Sequence, residues 1–600
     1  MHKFILFFKE LHTYKKQELL NAVASLTKKQ FVFFVFTSFL SLVLAIIMLA
    51  KINSMFMVNV PVSGGTLTEG IVGIPTLVNP VIAISDADKD LTSLIYSGLT
   101  RKDADGNFIP DLAESFTISP DGINYTFIIK KDAKFHNGTK VTADDVIFTI
   151  EKIKDPLIKS PRKMGWDGVN ISKKDDYTVV FTLAQPYISF IDNTNIGILP
   201  SSLWKNTNAN EFNLSPLNIK AVGSGPYKIS SIIKNSDGIP EQYKLERFNN
   251  FALGKPLIKN INIISYSNEK DLIKALLNNN IDQAGGISPE NIKNIEKKNY
   301  TIHTNTLPRF FGIFFNNNKN KIFADINVIK AFNIALNRQE IVDNILSGYG
   351  TIVHNPIPEK ILNDPNSDFN NAKIEEAIII LEKAGWIKGE DGIRTKGGTV
   401  SKTITKKVGG KNVTQTIQVK SNTPPIRLSF SLITGDTPEL KESVLLIKNQ
   451  LEKIGAEVDI KKVYETGQLN QLIRAREYEA LFFGQVINHE SDLYSFWHST
   501  QRTDPGLNIA MYNNKKVDNM LESIQKTLNI ENRMDKYEDL KEEFNINIPA
   551  ILIYSPKYLY ATSERLNNTN FKNISTPTDR FSLVYKWSAD TDKVWKIFNK

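Results

Sequence analysis

KFHNGTKVTADDVIFTIEKIKD, residues 134–155, holds a histidine, two adjacent aspartates and an Asn-Gly turn. Whether these groups are catalytic, metal-binding or framework decides how the chain is read. Asn137-Gly138 is a tight-turn signal. Thr142-Ala143-Asp144-Asp145 has the form of a capping box, with Thr142 as the cap and Asp145 three residues on, near the positive end of the helix dipole. Val146, Ile150 and Ile153 continue at helical spacing. Both aspartates therefore have a structural role at a helix start. His136 stands alone in a turn, and the histidines at 2, 12, 303, 354, 489 and 498 form no metal motif with it. Framework is the expectation, with no metal and no cofactor.

The surrounding chain reads as mixed α/β. FTISPDGINYTFII, 116–129, alternates apolar and polar residues on either side of Pro120-Asp121-Gly122, which predicts a hairpin. Phe116 and Ile118 share one face, and Ile123, Tyr125, Phe127 and Ile129 share a face on the return. Residues 337–348 predict a helix capped by Asn337 and closed by Gly348; 374–386 predict another, with Gly385 as its stop. Residues 441–455 place Val444, Ile447, Leu451 and Ile454 inward, and EVDIKKV follows as a strand, giving a helix-to-strand unit of an α/β lobe. Residues 397–425, rich in Gly, Thr, Lys and Val, read as an exposed, extended hairpin or loose insertion.

The bulk numbers bound the answer. A single core stops growing at roughly 250–300 residues, so a chain of 600 needs at least two lobes, and three subdomains are favoured. With 41% apolar and 23% charged residues the chain is an ordinary folded protein. It has no cysteine, which excludes disulfides, thiolate zinc sites, cysteine nucleophiles and lipoprotein processing. The net charge of +9 is not spread over a body: residues 1–30 carry six Lys and two Glu, and residues 396–420 six Lys and no acid, leaving the rest at −1. A nucleic-acid partner, which needs a basic stripe on the folded surface, is not expected.

Residues 31–50, FVFFVFTSFLSLVLAIIMLA, contain no charge. Twenty such residues in a helix span roughly 30 Å, a bilayer core. Six lysines precede the run and Lys51 follows, so the positive-inside rule puts 1–30 in the cytoplasm and the body outside. The run is long for a signal peptide and no A-x-A site follows, so an uncleaved single-pass anchor at the cell membrane is the expectation.

Residues 94–155, LIYSGLTRKDADGNFIPDLAESFTISPDGINYTFIIKKDAKFHNGTKVTADDVIFTIEKIKD, resemble the signature region of family 5 solute-binding proteins, the extracytoplasmic receptors of oligopeptide, dipeptide and nickel ABC importers. VGSGPYKIS at 222–230, FNNNKNKIFADINVIKAFNIALNRQEIVDNILSGYG at 315–350, LEKAGWIKGEDGIRTKGG at 381–398, IKNQLEKIGAEVDIKK at 447–462 and IPAILIYSPKYLYA at 548–561 match in the family's order. The resemblance covers nearly all of 64–600.

It implies a two-lobed α/β periplasmic-binding-protein clamp with an extra subdomain, after a basic leader (1–30), one transmembrane helix (31–50) and a linker (51–62). Lobe I would comprise 60–96, 215–305 and 560–600, the extra subdomain 97–214, and lobe II 306–555 with its basic insertion at 397–425. Crossing segments near 303–316 and 550–562 would form the hinge. A peptide or similar small solute would bind between lobes that close on it, and the partner would be an ABC permease in the membrane. No enzymatic activity is expected: no G-x-S-x-G elbow, H-E-x-x-H or phosphate loop occurs. The alternative is a membrane-tethered interaction or sensor module on the same clamp.

The family's peptide binders hold the ligand amino terminus with an aspartate a few residues after a Gly-Trp pair. In the matching stretch here, FFGQVINHESDLYSFW at 482–497, Gln485 stands for the Trp and Asn488 for the aspartate. An Asn supplies no charge to an ammonium, and Glu490 or Asp492 could replace it. Phe310 and Phe311, at the first hinge match, complete the ligand-binding candidates, either as cleft lining or as core.

Overall fold

The computed structural model describes residues 18, 21, 24–357, 371–397, 399–408, 411–420, 424–460, 463–487, 492–527, 529–569, 571–572, 574–589 and 591–595. It divides into two compact units, Met1–Val62 with Asp590–Lys600, and Ser63–Ala589.

In the first unit the apolar run lies within helix α1 (Lys28–Met55). Gln30 Oε1 accepts the Thr27 N–H at 3.0 Å and the Thr27 hydroxyl at 2.8 Å, so a cap on the polar leader sets the start just before the apolar run. Phe31, Phe36, Leu42, Ile47 and Leu49 are all exposed, and by length and composition the helix can cross a membrane. The sequence reads as a linker at 51–62 and as lobe I through to residue 600. The structure instead pairs β1 (Met57–Pro61) antiparallel with Thr591–Trp595, in register from Met57↔Trp595 to Pro61↔Thr591. Extended, β-branched segments need partners for their backbone groups, and these two find each other from opposite ends of the chain.

The second unit begins with β2 (Gly64–Val72) and α2 (Asp86–Ile95), capped by Ser85. A four-stranded antiparallel sheet follows, formed by β3 (Ala113–Ile118), β4 (Asn124–Ile129), β5 (Val169–Asp175) and β6 (Thr178–Leu183) in the order β3-β4-β6-β5. The expected hairpin is β3–β4, turning at Gly122 with φ +69°, a conformation glycine adopts freely. Tyr125, Phe127 and Ile129 are buried as the alternation requires. The helix expected from the opening stretch, α3 (Ala143–Lys154), packs against β5 and β6.

Among the described residues the principal sheet has thirteen strands. Its members are β2 with β7 (Tyr227–Lys234), β8 (Pro240–Arg247), β9 (Ile258–Tyr266), β10 (Gln283–Gly285), β11 (Tyr300–Thr306), β12 (Arg309–Phe315) and β13 (Gly350–Ile352). Further on come β14 (Ser429–Gly435), helix α4 (Pro438–Glu452), β15 (Glu457–Asp459), β16 (Ala480–Val486) and β17 (Ile551–Ser563), with Val463–Tyr464 on the edge of β14. The main path runs β15-β14-β16-β12-β17-β10-β2-β9-β8-β7, with β11 and β13 also on β17. Strands β2, β9 and β10 are mutually parallel, as are β14, β15 and β16. β17 runs antiparallel to β10 and β11 through its second half and to β12 and β13 through its first. The expected helices 337–348 and 374–386 appear as Arg338–Leu346, with Asn337 accepting the Glu340 N–H at 3.0 Å, and Ile374–Lys383. The Lys-rich insertion forms an antiparallel hairpin of Thr399–Val408 with Lys411–Lys420.

Each half of this sheet has its own apolar cores. One holds Leu67, Ile71 and Leu91 together with Phe127, Trp166 and Phe181, so the four-stranded sheet shares a core with the β2 region. In the other half, Ile313, Phe332, Leu432 and Ile447 pack on one side of the sheet, and Phe310, Phe314, Trp497 and Phe544 on the other.

A buried ionic cluster fixes the β2 half. The Arg580 guanidinium donates to Glu69 Oε1 at 2.9 Å, to Asp90 Oδ2 at 2.6 Å and to the Pro577 carbonyl at 2.9 Å, while the Tyr560 hydroxyl donates to Glu69 Oε2 at 2.8 Å. These residues come from β2, α2, β17 and the turn Pro577–Phe581. Removing one member of a buried ionic group leaves its partners charged and dry. Arg580→Met is therefore expected to destabilise the full chain by about 3–5 kcal/mol in urea denaturation; an unchanged midpoint would contradict the role given to this cluster.

Candidate functional site

The opening stretch is framework in the structure. The Thr142 N–H donates to Asp145 Oδ2 at 2.9 Å and the Thr142 hydroxyl to the same oxygen at 3.0 Å. Asp145 Oδ1 accepts the N–H and hydroxyl of Ser201 at 2.9 and 2.7 Å, so the capping carboxylate also ties the helix start to a neighbouring loop. Asp144 is exposed and pairs with Lys173 at 2.9 Å. The His136 ring is buried against Phe248, its Nε2 is 3.1 Å from the Gly225 carbonyl, and the Gly223 N–H reaches its Nδ1 at 3.3 Å. Among the described residues no three His, Asp or Glu side chains gather to hold a metal.

A crevice in an α/β sheet lies outside the carboxyl ends of its parallel strands. Here these ends are Val72, Tyr266 and Gly285 on one side, and Gly435, Asp459 and Val486 on the other. β17 links the two sides, with Tyr554 opposite Phe311 and Tyr560 opposite Gly285. β12 runs antiparallel to β16, so its first residue, Arg309, stands opposite Val486. The Ile487 N–H donates to the Pro308 carbonyl at 2.7 Å and the Ser555 hydroxyl to the Leu307 carbonyl at 3.1 Å, pinning this crossing to both neighbouring strands. Phe311 stacks on Tyr554 with centroids 5.4 Å apart, and a Cβ on Gly484 would lie 2.8 Å from the Phe311 ring. Glycine is required there by the close approach.

The sequence candidates separate on this frame. Phe310, 5% exposed, enters the core with Phe314 and Trp497; Phe311, on the opposite face, is partly buried and held by Tyr554. The central strand is covered on both faces, which turns two adjacent aromatics into packing on opposite sides. Gln485 is 6% exposed; its Nε2 donates to the Leu507 carbonyl at 3.1 Å, and its Oε1 is buried without a partner. Asn488 and Glu490 lie outside the described residues, as does the side chain of Asp492, whose backbone begins the helix Asp492–Trp497. Arg309 was not singled out by sequence reasoning. Its signal is a cation set between a proline and the apolar run FFGIFF.

A separate cavity of about 440 Å³ lies between α2, residues 161–166 and 192–197, and residues 575–582. Its charges are largely paired, Arg101 with Asp111 at 2.8 Å and Lys102 with Asp579 at 3.1 Å. Burial pushes the Tyr96 hydroxyl on its wall well above the ordinary tyrosine range, so it remains a neutral donor.

The family model described as bacterial extracellular solute-binding proteins, family 5, middle region, matches residues 107–505. The chain is 27% identical over 553 residues to the oligopeptide-binding protein AppA of Bacillus subtilis, covering 88% of this chain and 92% of that one. The solved structure of the Bacillus subtilis AppA in complex with a nonapeptide superposes with a TM-score of 0.66 at 26% identity, over 88% of this chain and 99% of that one. The substrate-binding protein CtaP of Listeria monocytogenes shares the fold, with a TM-score of 0.72 at 23% identity over 88% and 99%.

The frame carries its own pH signature. Burial pushes the His136 ring from the ordinary 6.5 down to about 4, against a smaller opposing pull from the Gly225 carbonyl. The unfolded chain takes up this proton below pH 6.5 and the folded chain does not, so stability is full above pH 6.5 and declines as the pH falls towards 4. The loss amounts to about 3 kcal/mol. His136→Gln should flatten the dependence of Tm on pH across this window; a curve parallel to that of the unsubstituted chain would contradict the assignment.

Proposed function

The chain belongs to the bacterial extracellular solute-binding proteins of family 5, and from that premise we infer that it is a membrane-tethered receptor which captures a peptide or peptide-like solute outside the cell and delivers it to an ABC permease. The observation that carries this reading is the crevice at the joint of the sheet, where the carboxyl ends of two parallel strand sets face a crossing made by β12 and β17. Lobe I is assigned to residues 63–96, 215–305 and 560–589, the extra subdomain to 97–214 and lobe II to 306–555, with the hinge in the crossings near 303–316 and 550–562. The relative whose structure holds a nonapeptide supports the peptide class. The reading needs no reaction at the site; the protein binds and releases. Asn488, where the family's peptide binders carry an aspartate, weakens one contact to a ligand ammonium and leaves the rest of the crevice intact.

The anchor reading is supported by α1, long enough to span a bilayer, with lysines at its start and no small-residue cleavage site after it. Intact-mass measurement of the membrane-extracted protein should give the full 67.7 kDa chain. A mature amino terminus near residue 55 would make α1 a signal sequence instead.

The ligand class is tested by purifying the full chain in detergent without refolding, recording native mass spectra, and identifying what is released on denaturation. Peptides of a few residues are expected, and adding a peptide mixture to emptied protein should raise Tm by mass action. An empty protein whose Tm no peptide mixture moves would contradict the receptor reading for peptides.

A further inference from the structure

Thr399–Val408 and Lys411–Lys420 pair antiparallel through ten residues each, from Thr399↔Lys420 to Val408↔Lys411. The two residues between them are Gly409 and Gly410, a pair that two-residue hairpin connections favour. Among the described residues neither strand pairs with any other, so the hairpin stands as a two-stranded ribbon. At the rise of a strand, ten residues give each arm a length of about 33 Å. The base of the ribbon is firm. Lys396 pairs with Ile426 beside the two arms, and the Leu428 N–H donates to the Arg394 carbonyl at 2.8 Å. The Arg394 side chain donates to the carbonyls of Ile454 and Trp386 at 2.8 Å each, which ties this base to the turn after α4.

The register sorts the residues of the ribbon by chemistry. Directly paired residues share a face, and the faces alternate along a strand. Val400, Ile404, Val408, Val413, Ile417 and Val419, which are all the aliphatic residues of the two arms, fall on one face. Lys402, Lys406 and Lys411 fall on the same face, each paired with an aliphatic residue: Lys402↔Ile417, Lys406↔Val413, Val408↔Lys411. Gln415 is the remaining member of that face. The other face holds Thr, Ser, Gln and Asn with Lys407 and Lys420. The arms contain no acidic residue, no arginine and no aromatic residue. A two-stranded ribbon is marginally stable alone in water, so an apolar face of this length calls for a surface to lie on.

We propose that this face docks on the anionic lipid headgroups of the bilayer that holds α1, giving the body a second attachment to the membrane. The contact rests on the tether reading above and adds to it a surface through which the body meets lipid. Composition selects lipid over a protein or a nucleic acid. Protein interfaces favour aromatic residues and arginine and are poor in lysine. Single-stranded nucleic acid is held by stacking on aromatic side chains. Aliphatic residues interleaved with lysines suit the boundary between headgroups and acyl chains, where apolar groups enter and ammonium groups stay level with the phosphates. Charge is also concentrated where the ribbon reaches farthest from its base, since Lys406, Lys407 and Lys411 flank Gly409-Gly410. A body already confined to the bilayer meets its headgroups at high effective concentration, so a few lysines suffice where a free protein would need many.

The test puts a single spin label on the ribbon of the full chain in lipid nanodiscs, which the absence of native cysteine allows. Gln415→Cys labels the aliphatic face without removing a lysine or an aliphatic residue, and Thr414→Cys labels the other face. The readout is the ratio of collisions with oxygen, which dissolves in the bilayer, to collisions with a nickel chelate, which stays in water. Discs of phosphatidylcholine mixed with phosphatidylglycerol should raise the ratio at Gln415→Cys several-fold over phosphatidylcholine alone, and raise it less at Thr414→Cys. Salt raised from about 0.1 M to about 1 M shortens the Debye length from about 10 Å to about 3 Å and should lower the ratio. Lys402→Gln, Lys406→Gln, Lys407→Gln and Lys411→Gln together should abolish the rise, and arginine at the same four positions should keep it. A ratio at Gln415→Cys that is equal in the two lipids, or that survives the four glutamines, would overturn the headgroup contact and leave the tether standing. Loss of access to both reagents that grows with the number of chains per disc would assign the face to a second copy and overturn the lipid contact. A chain that does not stay with the discs would overturn the tether and the contact with it.

Discussion

The second unit of this protein depends on one strand that serves two masters. Ile551–Ser563 gives its first residues to β12 and β13 and its later residues to β10 and β11, so the backbone hydrogen bonds of one strand join two separately cored halves. A slip of this strand by one residue would exchange the side chains that fill the cores on its two faces. Ile551, Leu552 and Ile553 are buried at one end and Leu559, Tyr560 and Ala561 at the other, so the register is fixed in both halves. The strand passes from one half to the other at Tyr554–Tyr558. The crossing Leu307–Arg309 lies beside that point. Architecture and site meet there for a mechanical reason.

The electrostatics divide along the same line. Away from the joint, buried charge is compensated: Arg580 by two carboxylates, Arg338 and Arg394 chiefly by carbonyls that close loops and strands. These contacts serve specificity of the fold, since a buried group of this kind admits few alternative packings. At the joint, Arg309 is partly buried, and its Nε is sealed without a hydrogen-bond partner.

Much of this was legible in the sequence wherever the determining contacts are local. The capping box at Thr142 and Asp145, the hairpin around Gly122, the Asn337 cap and the long apolar run are set by neighbours within a few residues, and each appears where the pattern puts it. The resemblance of ordered motifs extended this to the whole fold. What the sequence could not disclose depends on partners far along the chain. The pairing of Met57–Pro61 with Thr591–Trp595 joins opposite ends, and no periodicity in either segment announces it. The aromatics at 310 and 311 could be named but not assigned, because whether each meets a core depends on strands supplied from residues 480–486 and 551–554. Arg309 was invisible for a related reason. A cation beside an apolar run reads as a surface residue until the strands that partly bury it are in place.

The central claim is that this chain is a clamp hinged at the two crossings, closing on a solute held between its halves. The lack of native cysteines makes a distance measurement clean. Spin labels on Lys259→Cys, at the start of β9, and Lys441→Cys, in α4, would report the separation of the two halves by pulsed dipolar spectroscopy; both residues are exposed. The account predicts a broad distribution that narrows and shifts to shorter distance when a peptide mixture is added. A distribution that stays unchanged while the same sample shows bound peptide by native mass spectrometry would contradict it.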